Sequence, residues 1–203
     1  MGRLEEFPNK DFDTAIELYD HQLRLNPIHR EALERMVACH FFLERYQSAV
    51  DKLTALSHFH GDRASPRLAM IIAKCQAALY ENQRQYSRAL VVYEARINAL
   101  DPDEQALYHD LTLVATPDDA AYYLTLSEIE KAVYRRTFWA GRDPDPTSGV
   151  NERLVEHYRR GMYARENFSL AVQLWDRRGP IYIRYGEPDD RQRATLRATE
   201  ELV

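Results

Sequence analysis

The chain has 203 residues and a formal net charge of −5 at pH 7, with 29% charged and 45% hydrophobic residues. This length allows one or two domains, and a chain without any block of like charges does not show the basic face that a nucleic-acid binder usually carries. No stretch of the sequence is long and apolar enough to predict a membrane span, and no basic-then-apolar signal peptide opens the chain as given.

A short pattern of residues occurs three times in the first half of the chain. An aromatic residue is followed three positions later by alanine, in Phe12–Ala15, Tyr46–Ala49 and Tyr86–Ala89. Each copy opens a stretch with helical periodicity, and the first and third stretches lead to Asn26-Pro27 and Asp101-Pro102. Proline lacks a backbone donor and restricts the residue before it, so it stops a helix. The pattern predicts three helices with alanine where two helices approach closely.

This pattern resembles the second helix of a tetratricopeptide repeat. The resemblance implies that residues 1–115 form antiparallel helix hairpins stacked into an α-solenoid, because a single hairpin of this kind cannot bury its own apolar face. Ala49 follows Ala15 by 34 residues, which is the repeat length of the family. Ala89 follows Ala49 by 40 residues, because a longer connection over residues 57–65 offsets the third repeat.

The same resemblance implies a concave face that binds a protein or peptide segment. Positions of the first helix in each repeat line this face, and here they are Glu31, Glu34, Ala38, Phe41 and Phe42 in the second repeat and Ile71, Lys74 and Ala78 in the third. The alternative for Phe41 and Phe42 is a place in the core, and we expect this of at least one of them.

The start of the chain leaves one predicted helix without its partner. Only about ten residues precede the second helix of the first repeat, too few for the first helix of that hairpin. The exposed apolar face predicts either a longer protein or self-association through the ends of the chain.

A second region, residues 116–203, begins with helix-start signals. Thr-Pro followed by two acids opens it, and Ser127 precedes Glu130 by three residues, as in a capping box. This box predicts a helix with Ile129, Val133, Phe138 and Trp139 on or near its apolar side.

Further along, a proline-rich turn over residues 142–149 separates this helix from another, predicted from about Asn151 to Ala171. A break at Arg177–Gly179 follows. Ile181–Tyr185 alternates and is rich in β-formers, which predicts a short strand. The expected fold class is therefore mainly α, with stacked helix hairpins, then a small helical region carrying one short β-strand near the C-terminus.

Parts of this region resemble the bacterial domain named after its Gly-Trp-x-Thr-Asp motif. The matching residues lie in Phe138–Pro144, Asn151–Ala164 and Arg178–Asp189, whereas the naming motif itself is degraded to Leu174–Gly179, without its glycine and threonine. The resemblance implies a bacterial protein, often of the envelope or secreted, and a domain that is incomplete within residues 116–203. It implies no particular activity.

The sequence gives little indication of a catalytic or metal-binding site. His58 and His60 lie one residue apart in a turn without further ligands of suitable spacing, so a solvated loop is expected. Cys39 and Cys75 fall within predicted helices and are expected to be buried. We therefore predict no catalytic residue, no metal and no cofactor.

Polar residues around Trp139 allow two interpretations. They form either a pocket for a small ligand or a structural lock that holds the proline-rich turn against the neighbouring helices, and we favour the lock because buried turns need their backbone groups satisfied. The residues concerned are Trp139, Arg142, Asp143, Asn151, Glu152 and Arg159.

The function predicted from the sequence is a non-catalytic helical-repeat scaffold that binds a protein or peptide on its concave face. The alternative is an enzyme or small-ligand module centred on Trp139, Arg142, Asp143 and Asn151. A polar pocket near Trp139 and Asn151 that contains a perturbed titratable group would favour the alternative.

Overall fold

The structure is a computed structural model that describes residues 11–61, 66–169 and 175–187. Within these residues the chain forms ten α-helices, a 3₁₀ turn at Leu111–Leu113 and no β-strand, so the mainly α fold class is confirmed. The helices are α1 (Phe12–Leu25), α2 (Arg30–Phe42), α3 (Tyr46–His60), α4 (Pro66–Asn82), α5 (Tyr86–Asn98), α6 (Pro102–His109), α7 (Pro117–Thr125), α8 (Glu128–Ala140), α9 (Glu152–Asn167) and α10 (Arg178–Tyr185).

Half of these helices begin at a short polar side chain that accepts a backbone hydrogen bond from the first turn. Such caps open α1, α6, α7, α8 and α9, through Asp11, Asp101, Thr116, Ser127 and Asn151. At α8 the carboxylate of Glu130 also accepts the backbone N–H of Ser127 at 2.8 Å, which confirms the predicted capping box. A cap of this kind contributes about 1 kcal/mol to helix stability.

The first four helices enclose one hydrophobic cluster. Leu23 of α1, Met36 of α2 and Leu53 of α3 are among its fully buried side chains, and Leu68 of α4 closes it. Helix α1 packs on α2, and α4 packs on both α3 and α5.

The repeated alanines are part of the core. Ala15, Ala49 and Ala89 are all buried, as the sequence pattern predicts. Cys39 and Cys75 are also buried and carry free thiols, and burial raises the pKa of the Cys75 thiol to about 12. Both cysteines therefore act as small apolar side chains.

Two connections of the chain have the same backbone conformation. Glu44 between α2 and α3 and Arg84 between α4 and α5 both adopt a left-handed conformation, with φ of 54° and 56°. The next residue in each turn, Arg45 or Gln85, donates its N–H to the carbonyl five residues earlier, at 2.9 Å and 2.7 Å. These bonds form a Schellman motif. The two turns are 40 residues apart, the same interval that separates Ala49 from Ala89.

Helix α9 joins the second region to the first. Its Val155, Tyr158 and Met162 are buried in a second cluster with side chains of α4, α5 and α6. A Cβ atom added to Gly161 would lie 3.1 Å from the ring of Tyr108 on α6, so the two helices approach closely there. The apolar core therefore continues from α4, α5 and α6 into α9.

Helices α7 and α8 share a third, smaller cluster with the 3₁₀ turn. Tyr123 and Phe138 are buried in it, and Tyr134 packs against both. The expected apolar side of α8 is correct for Phe138, which is buried, and for Trp139, which packs against this cluster. It is wrong for Ile129 and Val133, because both are exposed, Ile129 by 82%. The aromatic side chains take the inward face of α8, which turns the aliphatic pair toward solvent.

The strand predicted at Ile181–Tyr185 is wrong, because these residues belong to α10. A helix closes its backbone hydrogen bonds within itself, whereas a lone short strand needs a partner. Among the described residues no strand lies beside it. Ile183 is buried in this helix, and Gly179 packs directly against Trp175.

The remaining expectations for the second region are met in part. The helix predicted from about Asn151 to Ala171 is observed as α9, and residues 170–174 lie outside the described residues. No described helix has the length and apolar character needed to cross a membrane.

Candidate functional site

The α2 positions assigned to the concave face differ in burial and pairing. Glu31 and Glu34 are exposed, and each forms an ion pair within its helix, Glu31 with Arg35 at 2.8 Å and Glu34 with Arg30 at 3.0 Å. Ala38, one turn further on, is partly buried. An exposed pair of this kind contributes a few tenths of a kcal/mol and leaves its carboxylate accessible to another cation.

The two phenylalanines at the end of α2 lie in different surroundings. Phe41 packs against the first cluster and meets the ring of Tyr46 edge-on at 5.1 Å. Phe42 is 51% exposed, and its ring lies 4.5 Å from that of Phe12. Phe41 thus belongs to the rim of the core, whereas Phe42 presents an aromatic surface to solvent.

The α4 positions lie beside helix α9. Ile71 is partly buried against the first cluster, and Ala78 is partly buried. The ammonium of Lys74 forms an ion pair at 2.5 Å with Glu166 of α9. Arg159 of α9 reaches back to Glu81 of α4 at 3.1 Å. The α9 side chains therefore occupy this part of the α4 surface, and the exposed candidates remain on α2.

A pocket of about 380 Å³ opens beside Trp139, at the junction of α8, α9 and α10. Val114, Phe138 and Ile183 supply apolar wall, and Glu156 and His157 of α9 supply polar wall. The pocket is also lined by four guanidinium groups, those of Arg142, Arg153, Arg160 and Arg184. Glu156 is the single acid among the described residues that line it.

Glu156 holds two of these arginines in place. Its carboxylate accepts from Arg153 at 2.6 Å and from Arg160 at 2.5 Å. Burial raises the pKa of Glu156, but the hydrogen bond from Arg153 and the charge of Arg160 outweigh it, so the pKa lies below its usual value. The carboxylate is therefore ionised near neutral pH.

Two arginines also bind backbone carbonyls around the pocket. Arg160 donates to the carbonyl of Arg184 at 3.1 Å, near the end of α10. Arg184 donates to the carbonyls of Leu113 at 2.9 Å and Ala115 at 3.1 Å, at the end of the 3₁₀ turn. Cations at such carbonyl-rich ends are favourable, and these bonds fix the guanidinium groups in the pocket wall.

Arg142 and Asn151 bind the proline-rich turn to its neighbours. The guanidinium of Arg142 lies 3.6 Å from the centre of the Phe138 ring, donates to the carbonyl of Phe138 and pairs with Asp119 at 3.3 Å. Asn151 caps α9 through the N–H of Leu154 and donates its side-chain amide to the carbonyl of Trp139. The Asn151 bond joins α8 to the start of α9, and the Arg142–Asp119 pair joins the turn to α7.

Trp139 and the five polar candidates around it thus lie in different places. Trp139 and Arg142 line the pocket, and Asn151 binds the backbone behind it. Asp143 accepts the N–H of Asp145 within the turn. Glu152 lines a separate shallow depression near Arg84, and Arg159 pairs with Glu81 and lies 3.8 Å from Glu156.

His157 was not among the predicted site residues, although it is the most perturbed group in the pocket. It is 5% exposed, and its ring lies 4.9 Å from that of Trp139. Burial lowers the pKa of His157 to about 4, and its Nε2 lies 3.0 Å from the carbonyl of Tyr108. The one sequence signal was its position three residues after Leu154, beside the apolar stripe of α9.

The tautomer of His157 follows from these contacts. A carbonyl can only accept, so Nε2 carries the proton and Nδ1 is an acceptor in the neutral ring. Nδ1 is buried and has no hydrogen-bond partner among the described residues. An acceptor left in this state costs about 1–3 kcal/mol unless a donor reaches it.

The described residues contain no group of three or more metal-binding side chains. Comparisons of the chain with models of protein families, with curated proteins and with solved structures found no match.

Proposed function

We propose that the chain is a non-catalytic helical-repeat scaffold that binds a protein or peptide segment on the exposed face of α2. The tetratricopeptide-like arrangement of hairpins is part of this proposal. It is supported by the buried alanines at repeat positions and by the repeated left-handed turns at Glu44 and Arg84.

The α2 face carries the chemistry for such binding. Glu31, Glu34, Ala38 and Phe42 follow one another at helical spacing, with exposed carboxylates at one end and the half-exposed Phe42 ring at the other. The observation that supports the proposal most is the exposed ring of Phe42 on a face that also carries acidic side chains. A segment with a basic residue and an apolar residue would match it, because aromatic anchors dominate binding energy and charges add specificity.

A peptide-display selection against the whole chain tests this proposal. We expect enrichment of peptides that combine basic and apolar residues, and Phe42→Ala should weaken their binding by about tenfold or more. Phe59→Ala is the matched control, because Phe59 is an exposed aromatic side chain of α3 outside this face. Equal loss in both variants, or no enrichment, would contradict the α2 face.

For residues 116–203 we propose a region like the Gly-Trp-x-Thr-Asp domain of bacterial envelope proteins. The support is that Trp139 and Asn151, which carry part of the resemblance, are joined by a side-chain hydrogen bond.

A second candidate function, small-ligand binding beside Trp139, is favoured by one specific observation. The pocket there is large enough for a small molecule, and it contains a buried histidine whose pKa is lowered to about 4. Perturbed titratable groups in pockets often mark functional sites.

A further inference from the structure

We propose that the pocket beside Trp139 binds a small organic oxyanion, a carboxylate or a phosphate ester. This proposal rests on the second candidate function and names the chemical class of its ligand.

The charge of the pocket wall favours an anion. Four arginines and one glutamate line it, so the described lining carries a net charge of +3 when His157 is neutral. Asp119 pairs with Arg142 just outside the lining and lowers the local excess to +2. Guanidinium groups stay charged at every physiological pH and match the geometry of carboxylate and phosphate oxygens.

The arginines are held in place by hydrogen bonds, but not all of their N–H groups are used. Arg160 and Arg184 are fixed by backbone carbonyls at the ends of α10 and the 3₁₀ turn. Arg153 makes one hydrogen bond, from Nη1 to Glu156, and its other N–H groups have no partner among the described residues. Arg153 is therefore the guanidinium most available to an incoming oxyanion.

The organic part of the ligand is favoured by the rings of His157 and Trp139. The His157 ring lines the pocket, and its buried Nδ1 accepts no hydrogen bond within the described chain. The ring of Trp139 beside it gives the carbon frame of such a ligand an apolar contact.

Binding of four probes by the whole chain tests the proposal, measured by calorimetry and by Trp139 fluorescence in a Trp175→Phe background. The probes are gluconate, glucose 6-phosphate, neutral glucose and inorganic phosphate. We expect saturable binding of gluconate or glucose 6-phosphate at least about tenfold tighter than binding of glucose or inorganic phosphate. The two organic anions distinguish a carboxylate from a phosphate ester.

Two variants test whether the probes bind at the arginine-lined wall of this pocket. Arg153→Gln should weaken the organic anion at least about tenfold, whereas Arg136→Gln should leave it unchanged, because Arg136 is exposed on α8 and does not line the pocket. Equal binding of glucose and the anions, or insensitivity to Arg153→Gln, would overturn the oxyanion proposal while leaving small-ligand binding standing. No binding of any probe would overturn both.

Discussion

The buried imidazole of His157 couples the pocket to the stability of the fold. The unfolded chain holds this histidine in water, where its pKa is near the ordinary value of 6.5, whereas burial in the folded state lowers the pKa to about 4. Between these values the unfolded state binds a proton that the folded state does not. Acid therefore favours the unfolded chain across this window.

We expect the free energy of unfolding to rise with pH between about 4 and 6.5 and to level off above, with a contribution from His157 of about 3 kcal/mol. Burial also lowers the pKa of His40 and His109, so they act in the same direction. Urea unfolding at a series of pH values measures the slope.

In the same experiment, His157→Gln should reduce the slope, since glutamine does not titrate and can still donate to Tyr108. His21→Gln, at an exposed position of α1, should not. An unchanged slope in His157→Gln would contradict this account of the histidine.

Single residues differ in how far the sequence predicts their place. Ala49 and Ala89 were found because a small residue at a repeated spacing has one packing explanation. The left-handed turns at Glu44 and Arg84 are not predicted from the sequence, because glycine normally marks that conformation and neither position is a glycine. His157 was missed because its environment depends on Tyr108, which lies 49 positions away along the chain.

At the scale of the helix, α10 shows where local pattern and tertiary context disagree. The alternating apolar residues of Ile181–Tyr185 satisfy a strand template, but a short apolar run cannot distinguish strand from helix by periodicity alone. Packing decided the outcome, because Ile183 is buried in the helix and Tyr182 stacks on Tyr163 of α9 at 4.4 Å. Helices with explicit caps, such as α8, were predicted correctly because their start signals are local.

A pair of alanine substitutions separates the two conformations of this segment. In α10 Ile183 is 2% exposed and Ile181 is 60% exposed, whereas in a strand both would lie on one face. Ile183→Ala should cost about 2–5 kcal/mol of unfolding free energy and Ile181→Ala much less. Chemical denaturation of the two variants provides the comparison, and similar losses in both would favour the strand.

At the scale of the whole molecule, we expect the core shared by α4, α5, α6 and α9 to determine how the chain unfolds. The sequence predicted two regions that meet near residue 115, and it gave no sign that α9 packs on α5 and α6, since no pattern links segments so far apart. A core that crosses this boundary should make the helices on both sides cooperative.

The chain carries its own probe for this cooperativity, because both of its tryptophans, Trp139 and Trp175, lie after residue 115. Tryptophan fluorescence therefore follows the second region, whereas far-UV circular dichroism follows helices along the whole chain. We expect the two unfolding curves to coincide. Met162→Ala, in the shared cluster, should lower the unfolding free energy by about 2–5 kcal/mol, and by the same amount in both curves. Val133→Ala, on the exposed side of α8, should shift neither. If Met162→Ala moved the fluorescence curve alone, the two regions would be independent domains, and the packing of α9 would only join their surfaces.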